Sequence, residues 1–429
     1  MPADPIDIVL VTIGSAGDLF PFLRIGTVLR DLGHRVSFVA PWLHQPYVEQ
    51  AGLPFYGLDI DESVLDDPDL WHAIRGFGVV WRATRPAMAQ VQAIVGPLLG
   101  GPRSLLIAHP LALPEADLVR AAHPGVTVVA AILAPQNLPT VHDPLMVGPR
   151  RMPAWVPHGV RRLMWKSVGK FVLDPVALPG INAARRHRGL APVPGLLQHL
   201  ATAPDLTVLL FPAWFAPPLP DWPQPLLQAD FALYDPNPAA AMVPALQAFL
   251  AAGPAPLVFT HGTGNRQASA YFAAARDATL QLGRRAIFLT PHAEQVPADL
   301  PSEILWQDYV PLRALLPHAA ALMHHGGIGT TAEALRAGTP QLIIPLAHDQ
   351  FDNAERVKAL RVGARLDAAR VSAPRMAAAL SSLLASPGLA QHCQQVAGHV
   401  DQGARFERAC EAMLAAGLAS VLTSGRQRS

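Results

Sequence analysis

The sequence predicts an α/β protein built from two tandem doubly wound domains, each a parallel sheet with helices on both faces. Three observations carry this. Strand-length apolar runs recur along the chain, separated by stretches of helical spacing. The runs are nearly continuous rather than alternating, as strands covered on both faces are. And a chain of 429 residues, too long for one ordinary core, is interrupted near its middle by a segment with eight prolines, residues 211–238.

In order, residues 6–13 (IDIVLVTI) form the first strand, ended by Gly14. Residues 20–32 have the apolar spacing of a helix and stop before Gly33, a C-cap signal. RVSFVAP follows as a strand closed by Pro41, completing a βαβ unit. Further strands are expected at SLLIAH (104–109), VTVVAAI (126–132) and LTVLLF (206–211). The proline-rich segment 211–238 reads as the linker and its approaches. Beyond it the alternation restarts with PLVFTHG (256–262), RAIFLT (285–290), EILWQ (303–307), AALMHH (320–325) and PQLIIPL (340–346), with helices at 269–282 and 352–361. The expected division is 1–225 for the first Rossmann-like domain and 226–400 for the second. Residues 401–429 are read as a helix returning toward the first domain, frayed beyond about 422.

Composition narrows the function classes. A formal net charge of +1 argues against a nucleic-acid binder, which carries a basic excess. Two cysteines, Cys393 and Cys410, make no disulfide framework, so a reducing compartment is expected. The N-terminus lacks the basic region of a signal peptide, and no run reaches the ~18 apolar residues of a membrane span. The expectation is a soluble, cytoplasmic protein. Its 44 prolines are roughly twice the usual share.

Ligands of open parallel sheets sit beyond the carboxyl ends of the strands. Three loops there stand out: GSAGD (14–18), HGTGN (261–265) and HHGGIGTT (324–331). In the last, Gly326, Gly327 and Gly329 let backbone N–H groups meet a ligand at a helix N-terminus, where the dipole favours an anion. His325 adds a short donor suited to a phosphate oxygen, and Thr330 and Thr331 add hydroxyls. No P-loop lysine is present. Thr330 and Glu333 also have capping-box spacing, which would need no ligand, but capping leaves His-Gly-Gly unexplained. A diphosphate accounts for the whole stretch. After the next strand come His348, Asp349 and Gln350, hydrogen-bonding side chains that suit a sugar. The alternative there is a helix start at Asp352 or Asn353 with solvated polar neighbours.

The pattern H-x-G-x-G-T-x-x-E-A-L followed by P-x-x-x-D-Q-x-x-N-A resembles the donor signature of nucleotide-sugar glycosyltransferases of the GT-B fold, the UDP-glycosyltransferase-like family. IGSAGDLFPFL resembles the G-S-x-G-D-x-x-P motif of the bacterial and sterol branch. More narrowly, GSAGDLFPFL, LFPAWFAPP, DWPQPL and AHDQFDNAER resemble the rhamnosyltransferases of rhamnolipid synthesis. The resemblance implies two Rossmann-like domains facing a central cleft, the first for the acceptor and the second for the donor. It implies that His325, Gly327, Gly329, Thr330 and Thr263 meet the diphosphate, and that Glu333 meets the ribose unless it caps its helix. Val310, in DYVPL, would offer backbone bonds to the nucleobase, and Trp306 would stack on it or belong to the core. His348, Asp349 and Gln350 would hold the sugar. HGTGN departs from the family's small-residue loop by carrying His261.

The implied reaction is a direct displacement at the anomeric carbon, in which a base takes the acceptor's proton. The resemblance assigns that base to Asp18; the alternative is a cap for a helix beginning near Leu19. The histidine that plant relatives carry earlier in this loop is replaced by Thr12, Ile13 and Gly14, which removes the usual His–Asp pair. No cofactor or metal is expected: the dTDP- or UDP-hexose is a co-substrate, Asp59 and Asp61 read as a solvated loop, and His324 reads as packing or support for the site. Two first-domain segments could line a hydrophobic acceptor site, 77–99 and 155–173. The second, which mixes Trp, Met, Leu and Phe with Arg161, Arg162, Lys166 and Lys170, could instead rest on the inner membrane surface or simply cover the sheet. The resemblance points to a lipid-like acceptor such as a 3-(3-hydroxyalkanoyloxy)alkanoic acid. Competing readings are transfer to a sterol or other natural product, a nucleotide-sugar epimerase, and a non-catalytic sugar-nucleotide binder.

Overall fold

The computed structural model describes residues 4–424 apart from 73–74, 102, 144–145, 238–241 and 401–402. Its contacts divide the chain into two units, Met1–Pro236 with Asp401–Ser429, and Asn237–Val400.

The first unit holds a parallel sheet of β1 (Asp7–Val11), β2 (Arg35–Pro41), β3 (Phe55–Leu58), β4 (Ser104–Ala108), β5 (Val126–Ile132), β8 (Leu206–Leu209) and β9 (Leu226–Gln228), in the order β3-β2-β1-β4-β5-β8-β9. A small antiparallel hairpin, β6 (Met146–Val147) and β7 (Arg150–Arg151), stands apart from it. The central strands β1, β4, β5 and β8 are aliphatic runs buried on both faces: Ile8, Leu10, Leu106 and Val128 are fully inaccessible to water. Each such side chain contributes about 1.5–3 kcal/mol by leaving water. The order turns at β1, which pairs with β2 on one side and β4 on the other, in register Val11 with Val39 and with Ala108. Loops after β1 and β4 therefore emerge side by side.

The proline-rich segment is not simply a linker. It supplies β9, which pairs parallel with β8, and it buries Phe211, Phe215, Trp222 and Phe231 in edge-to-face contacts. Pro238, at its end, lies outside the described residues. The first helix begins earlier than its apolar spacing indicates, spanning Ala16–Asp31 with Pro21 inside it.

The C-terminal helix, Ala404–Ser424, packs on β5, β8, β9 and the Ala16–Asp31 helix. Arg24 lies 5.6 Å from the centre of the Phe406 ring and pairs with Glu407 at 3.0 Å; Arg405 reaches Asp230 at 3.3 Å. Residues 425–429 of the expected frayed tail lie outside the described residues.

The second unit has six parallel strands, β10 (Leu257–Phe259), β11 (Ala286–Leu289), β12 (Ile304–Gln307), β13 (Ala321–His324), β14 (Gln341–Ile343) and β15 (Gly363–Arg365), in the order β12-β11-β10-β13-β14-β15. Here the order turns at β10, whose Phe259 is level with Met323 of β13. Phe259, Phe272 and Phe288 centre the core. Cys393 and Cys410 are buried free thiols, pushed up by burial to about 11 and about 12.

Residues 155–173 do not cover the sheet. Their helix, His158–Val168, buries only Arg161, whose guanidinium donates to the carbonyls of Val141 (2.9 Å) and Ala154 (2.5 Å). Trp165 Nε1 donates to the Thr140 carbonyl at 2.8 Å. The helix is thus anchored by polar groups, and its apolar side chains Val160 and Leu163 face water. Among the described residues, no helix is long and apolar enough to cross a membrane.

Candidate active site

The loop after β1 is a compact turn built around Asp18. Ser15 is the N-cap of the Ala16–Asp31 helix, and Asp18 is the third helical residue. The Ser15 N–H donates to Asp18 Oδ2 at 2.8 Å, and Gly17 N–H donates to the Ser15 hydroxyl at 3.3 Å, a capping box. Asp18 thus does not cap a helix starting near Leu19; it closes the box one turn earlier. Gly14 makes this possible: its φ is +136°, and a Cβ there would lie 2.2 Å from Asp18 Oδ2.

The other carboxylate oxygen, Oδ1, faces His109 Nε2 at 3.5 Å. His109 directly follows β4 and is buried. Its Nδ1 accepts the Leu111 N–H at 3.3 Å, so the ring proton sits on Nε2, toward Asp18. Burial pushes the Asp18 carboxyl up, but the hydrogen bond and charge of His109, with the Ser15 bonds, more than offset it and leave it below its usual value. The His–Asp pair that the loop after β1 lacks in sequence is therefore present, with its histidine supplied by the neighbouring strand. His44 adds a third group: its Nε2 donates to the Gly14 carbonyl at 2.9 Å, and its buried Nδ1 has no partner. Burial pulls His44 below the ordinary histidine value, partly offset by the Gly14 bond and by the charges of Asp18 and Glu62.

In the second unit the loops after β10, β13 and β14 adjoin. The helix after β13 spans Ile328–Ala337 with Gly327 as N-cap and no side-chain cap. Its free N–H groups thus face outward, as anion sites require. Thr330 and Glu333 make no capping box, because the helix begins before Thr330; Glu333 instead pairs with Arg336. His325 lies against Gly262, where a Cβ would sit 2.8 Å from its Cε1. Its Nδ1 is buried without a partner, as is that of His261, whose ring stacks on Tyr271 at 4.4 Å. Burial drives His261 and His324 down to about 3 and His325 to about 4, so all three are neutral at pH 7. His324 accepts the Gly326 N–H at Nδ1 (3.1 Å) and donates from Nε2 to Gln341 (2.9 Å), which fixes the turn.

Asn353 links the two halves of this loop cluster. Buried in the Gln350–Ala359 helix, it donates to the Gly326 carbonyl at 2.9 Å and to Asp349 Oδ2 at 2.7 Å. The helix starts at Gln350, not at Asp352 or Asn353, with Asp349 at its N-cap and no side-chain cap bond. His348 has a φ of +56°. Gln350 is buried, and its Oε1 accepts the N–H groups of Leu346 (2.8 Å) and Ala347 (3.1 Å), so that oxygen shapes the loop. Thr263 is exposed, and its carbonyl accepts from His292 Nε2 at 3.1 Å. Trp306 is 37% exposed, so it is not core; its Nε1 donates to the Thr290 carbonyl at 3.0 Å. Val310 puts its side chain in the core beside Leu246 and Leu316.

Asp59 and Asp61 are absorbed locally: Asp59 accepts from Trp42 Nε1 at 2.9 Å, and Asp61 accepts the Ser63 N–H at 3.0 Å. Among the described residues, no group of three or more His, Cys, Asp or Glu is arranged to hold a metal ion.

Two doubly wound parallel-sheet units in tandem, the second carrying a glycine-rich turn between β13 and the Ile328–Ala337 helix, are the architecture of the GT-B class of sugar-transferring enzymes. Residues 8–96 match the glycosyltransferase family 28 N-terminal domain, and residues 285–404 match the erythromycin biosynthesis protein CIII-like C-terminal domain. The chain is 31% identical to O-mycaminosyltylonolide 6-deoxyallosyltransferase of Streptomyces fradiae, over 94% of this chain and 96% of that one. Among solved structures, the glycotransferase of kitacinnamycin matches with a TM-score of 0.71 at 20% identity, over 97% of this chain and 100% of that one. Spinosyn rhamnosyltransferase SpnG complexed with thymidine diphosphate matches with a TM-score of 0.60 at 21% identity, over 92% and 95%. The chain belongs to the GT-B glycosyltransferases with a family 28-like N-terminal and an erythromycin CIII-like C-terminal domain. It is a nucleotide-sugar-dependent hexosyltransferase.

Proposed function

We propose that the enzyme moves a hexose with inversion, and without a metal ion, from dTDP-rhamnose or another dTDP- or UDP-hexose onto the hydroxyl of a lipid-like acceptor. A 3-(3-hydroxyalkanoyloxy)alkanoic acid is the acceptor that the sequence resemblance favours. The observation that carries the donor half is the second unit's loop cluster, in which neutral His325 and the open N-terminus of Ile328–Ala337 are tied through Asn353 to Asp349. His325, Gly327, Gly329, Thr330 and Thr263 meet the diphosphate. Asp349, Gln350 through its amide group, and His348 meet the sugar. Glu333 meets the ribose, and Trp306 and the Val310 backbone meet the base. As the sugar–phosphate bond breaks, the helix N-terminus and His325 stabilise charge growing on the diphosphate. Asp18, oriented by His109, removes the acceptor's proton.

A second reading is transfer to a macrolide-type natural product, which the name of the Streptomyces fradiae relative favours. Thermal unfolding with dTDP, UDP and their sugars tests the donor half. A true ligand at a hundredfold its Kd stabilises by about 2.7 kcal/mol; no shift with any of them would sink the donor assignment. Mass spectrometry of products from a hydroxyalkanoyloxyalkanoate and a macrolide aglycone then separates the two acceptors.

A further inference from the structure

Residues 155–171 form an exposed surface to which none of the catalytic or donor-loop residues described above belongs. Trp155, Leu163 and Phe171 are 81%, 64% and 71% exposed, an arrangement that a soluble surface rarely shows for three large apolar side chains so close in sequence. Val160 and Leu163 lie on one side of the His158–Val168 helix, while Arg161 and Trp165 anchor its opposite side through backbone carbonyls. Arg162, Lys166 and Lys170 are also exposed and flank the apolar side. The wider turn Gly169–Leu173 extends the segment to Phe171, beside which the Lys170 ammonium sits 5.5 Å from the ring centre.

Charge identifies the occupant. Between residues 144 and 173 the chain has six cations and no Asp or Glu, although its overall net charge is only +1. Two of its three lysines, Lys166 and Lys170, lie here. A second copy docking through this face would oppose one cationic patch with another. An anionic bilayer complements both features at once: its headgroups attract the cations, and its headgroup–acyl boundary takes Trp155, Leu163 and Phe171.

We propose that residues 155–171 are an interfacial docking surface that holds the enzyme on anionic lipid bilayers. Leu163, Phe171 and Trp155 insert to the headgroup boundary, and Arg162, Lys166 and Lys170 pair with lipid phosphates. The enzyme is carried on the membrane surface without a described helix that could span it. The proposal stands whichever acceptor is correct.

Co-sedimentation of the whole protein with vesicles tests it. The expected result is binding to mixed phosphatidylcholine–phosphatidylglycerol vesicles, weakened by salt, with little binding to phosphatidylcholine alone. Replacing Lys166 and Lys170 by Gln lowers the partition roughly fivefold for each charge removed. Replacing Leu163 and Phe171 by Ser lowers it at least tenfold and leaves the unfolding temperature unchanged, since both side chains already face water. Wild-type protein that ignores the mixed vesicles at low salt overturns the proposal, as does binding that neither double variant diminishes. A concentration-dependent dimer abolished by Leu163→Ser with Phe171→Ser, with no vesicle binding, would give this face to a second copy instead.

Discussion

At the scale of single residues, the first unit turns on one carboxylate and one imidazole. Because the Leu111 N–H occupies His109 Nδ1, the histidine presents a proton to Asp18 and cannot itself be the base in this arrangement. Asp18→Asn should therefore lower kcat by about 10²–10⁴-fold while nucleotide-induced thermal shifts persist; unchanged turnover would remove Asp18 from the reaction. His109→Phe gives a different signature. His109 lowers the Asp18 carboxyl, and the base works only when ionised. Without His109 that carboxyl rises, so the acid limb of the kcat/KM profile should move to higher pH. A loss of rate with the limb in place would make His109 merely structural.

At the scale of elements, side chains that hold loops matter as much as those that meet substrate. Asn353→Ala removes the bonds to the Gly326 carbonyl and to Asp349, and costs about 1–3 kcal/mol of stability for a buried bond lost. Its donor KM should rise more than its kcat falls, because the loop cluster loosens without losing its chemistry; steady-state kinetics decides this. Much of the scaffold was legible in sequence. The long aliphatic runs IDIVLVTI, SLLIAH and VTVVAAI contain β1, β4 and β5, and HHGGIGTT opens a helix as its glycines indicate. The strands not expected are β3 (FYGL), β9 (LLQ) and β15 (GAR), short and largely only half-buried edge pieces whose pairing comes from the neighbour, and the two-residue strands β6 and β7 of the small hairpin. His109 was hidden for another reason. Its partner is remote in sequence, and only the strand order that puts β4 beside β1 joins them. Asn353 stood in the D-Q-x-x-N-A pattern without a role of its own, because the carbonyl and carboxylate it joins lie in two different loops. Of the readings open for 155–173, covering the sheet is the one that fails, because Arg161, not an aliphatic side chain, faces inward.

At the scale of the whole molecule, two units in one chain need not unfold together. His261 and His324 are buried and held neutral down to about pH 3. In the unfolded chain the same rings take up protons below about 6.5. Above that pH they do not weaken the fold. As the pH falls from about 6.5 toward 3, the unfolded state gains protons that the folded state refuses, at a cost of up to about 1.4 kcal/mol per pH unit for each ring. The transition of the 237–400 unit should therefore drop in temperature across this range, and His261→Phe should flatten the drop. Calorimetry over a pH series reads both; a slope unaltered by His261→Phe would mean that its ring is protonated in the native state.

The C-terminal helix has a consequence for how the protein is made. Ala404–Ser424 covers β5, β8 and β9, yet it is synthesised after every residue of the second unit. At about 5–20 residues per second, the first sheet waits on the order of ten seconds or more on the ribosome with that face bare. The second unit, contiguous in sequence, can complete itself first. Birth order and assembly order are thus inverted in this chain, and the interval during which its nascent N-terminal half most needs a chaperone is set by the length of its other half.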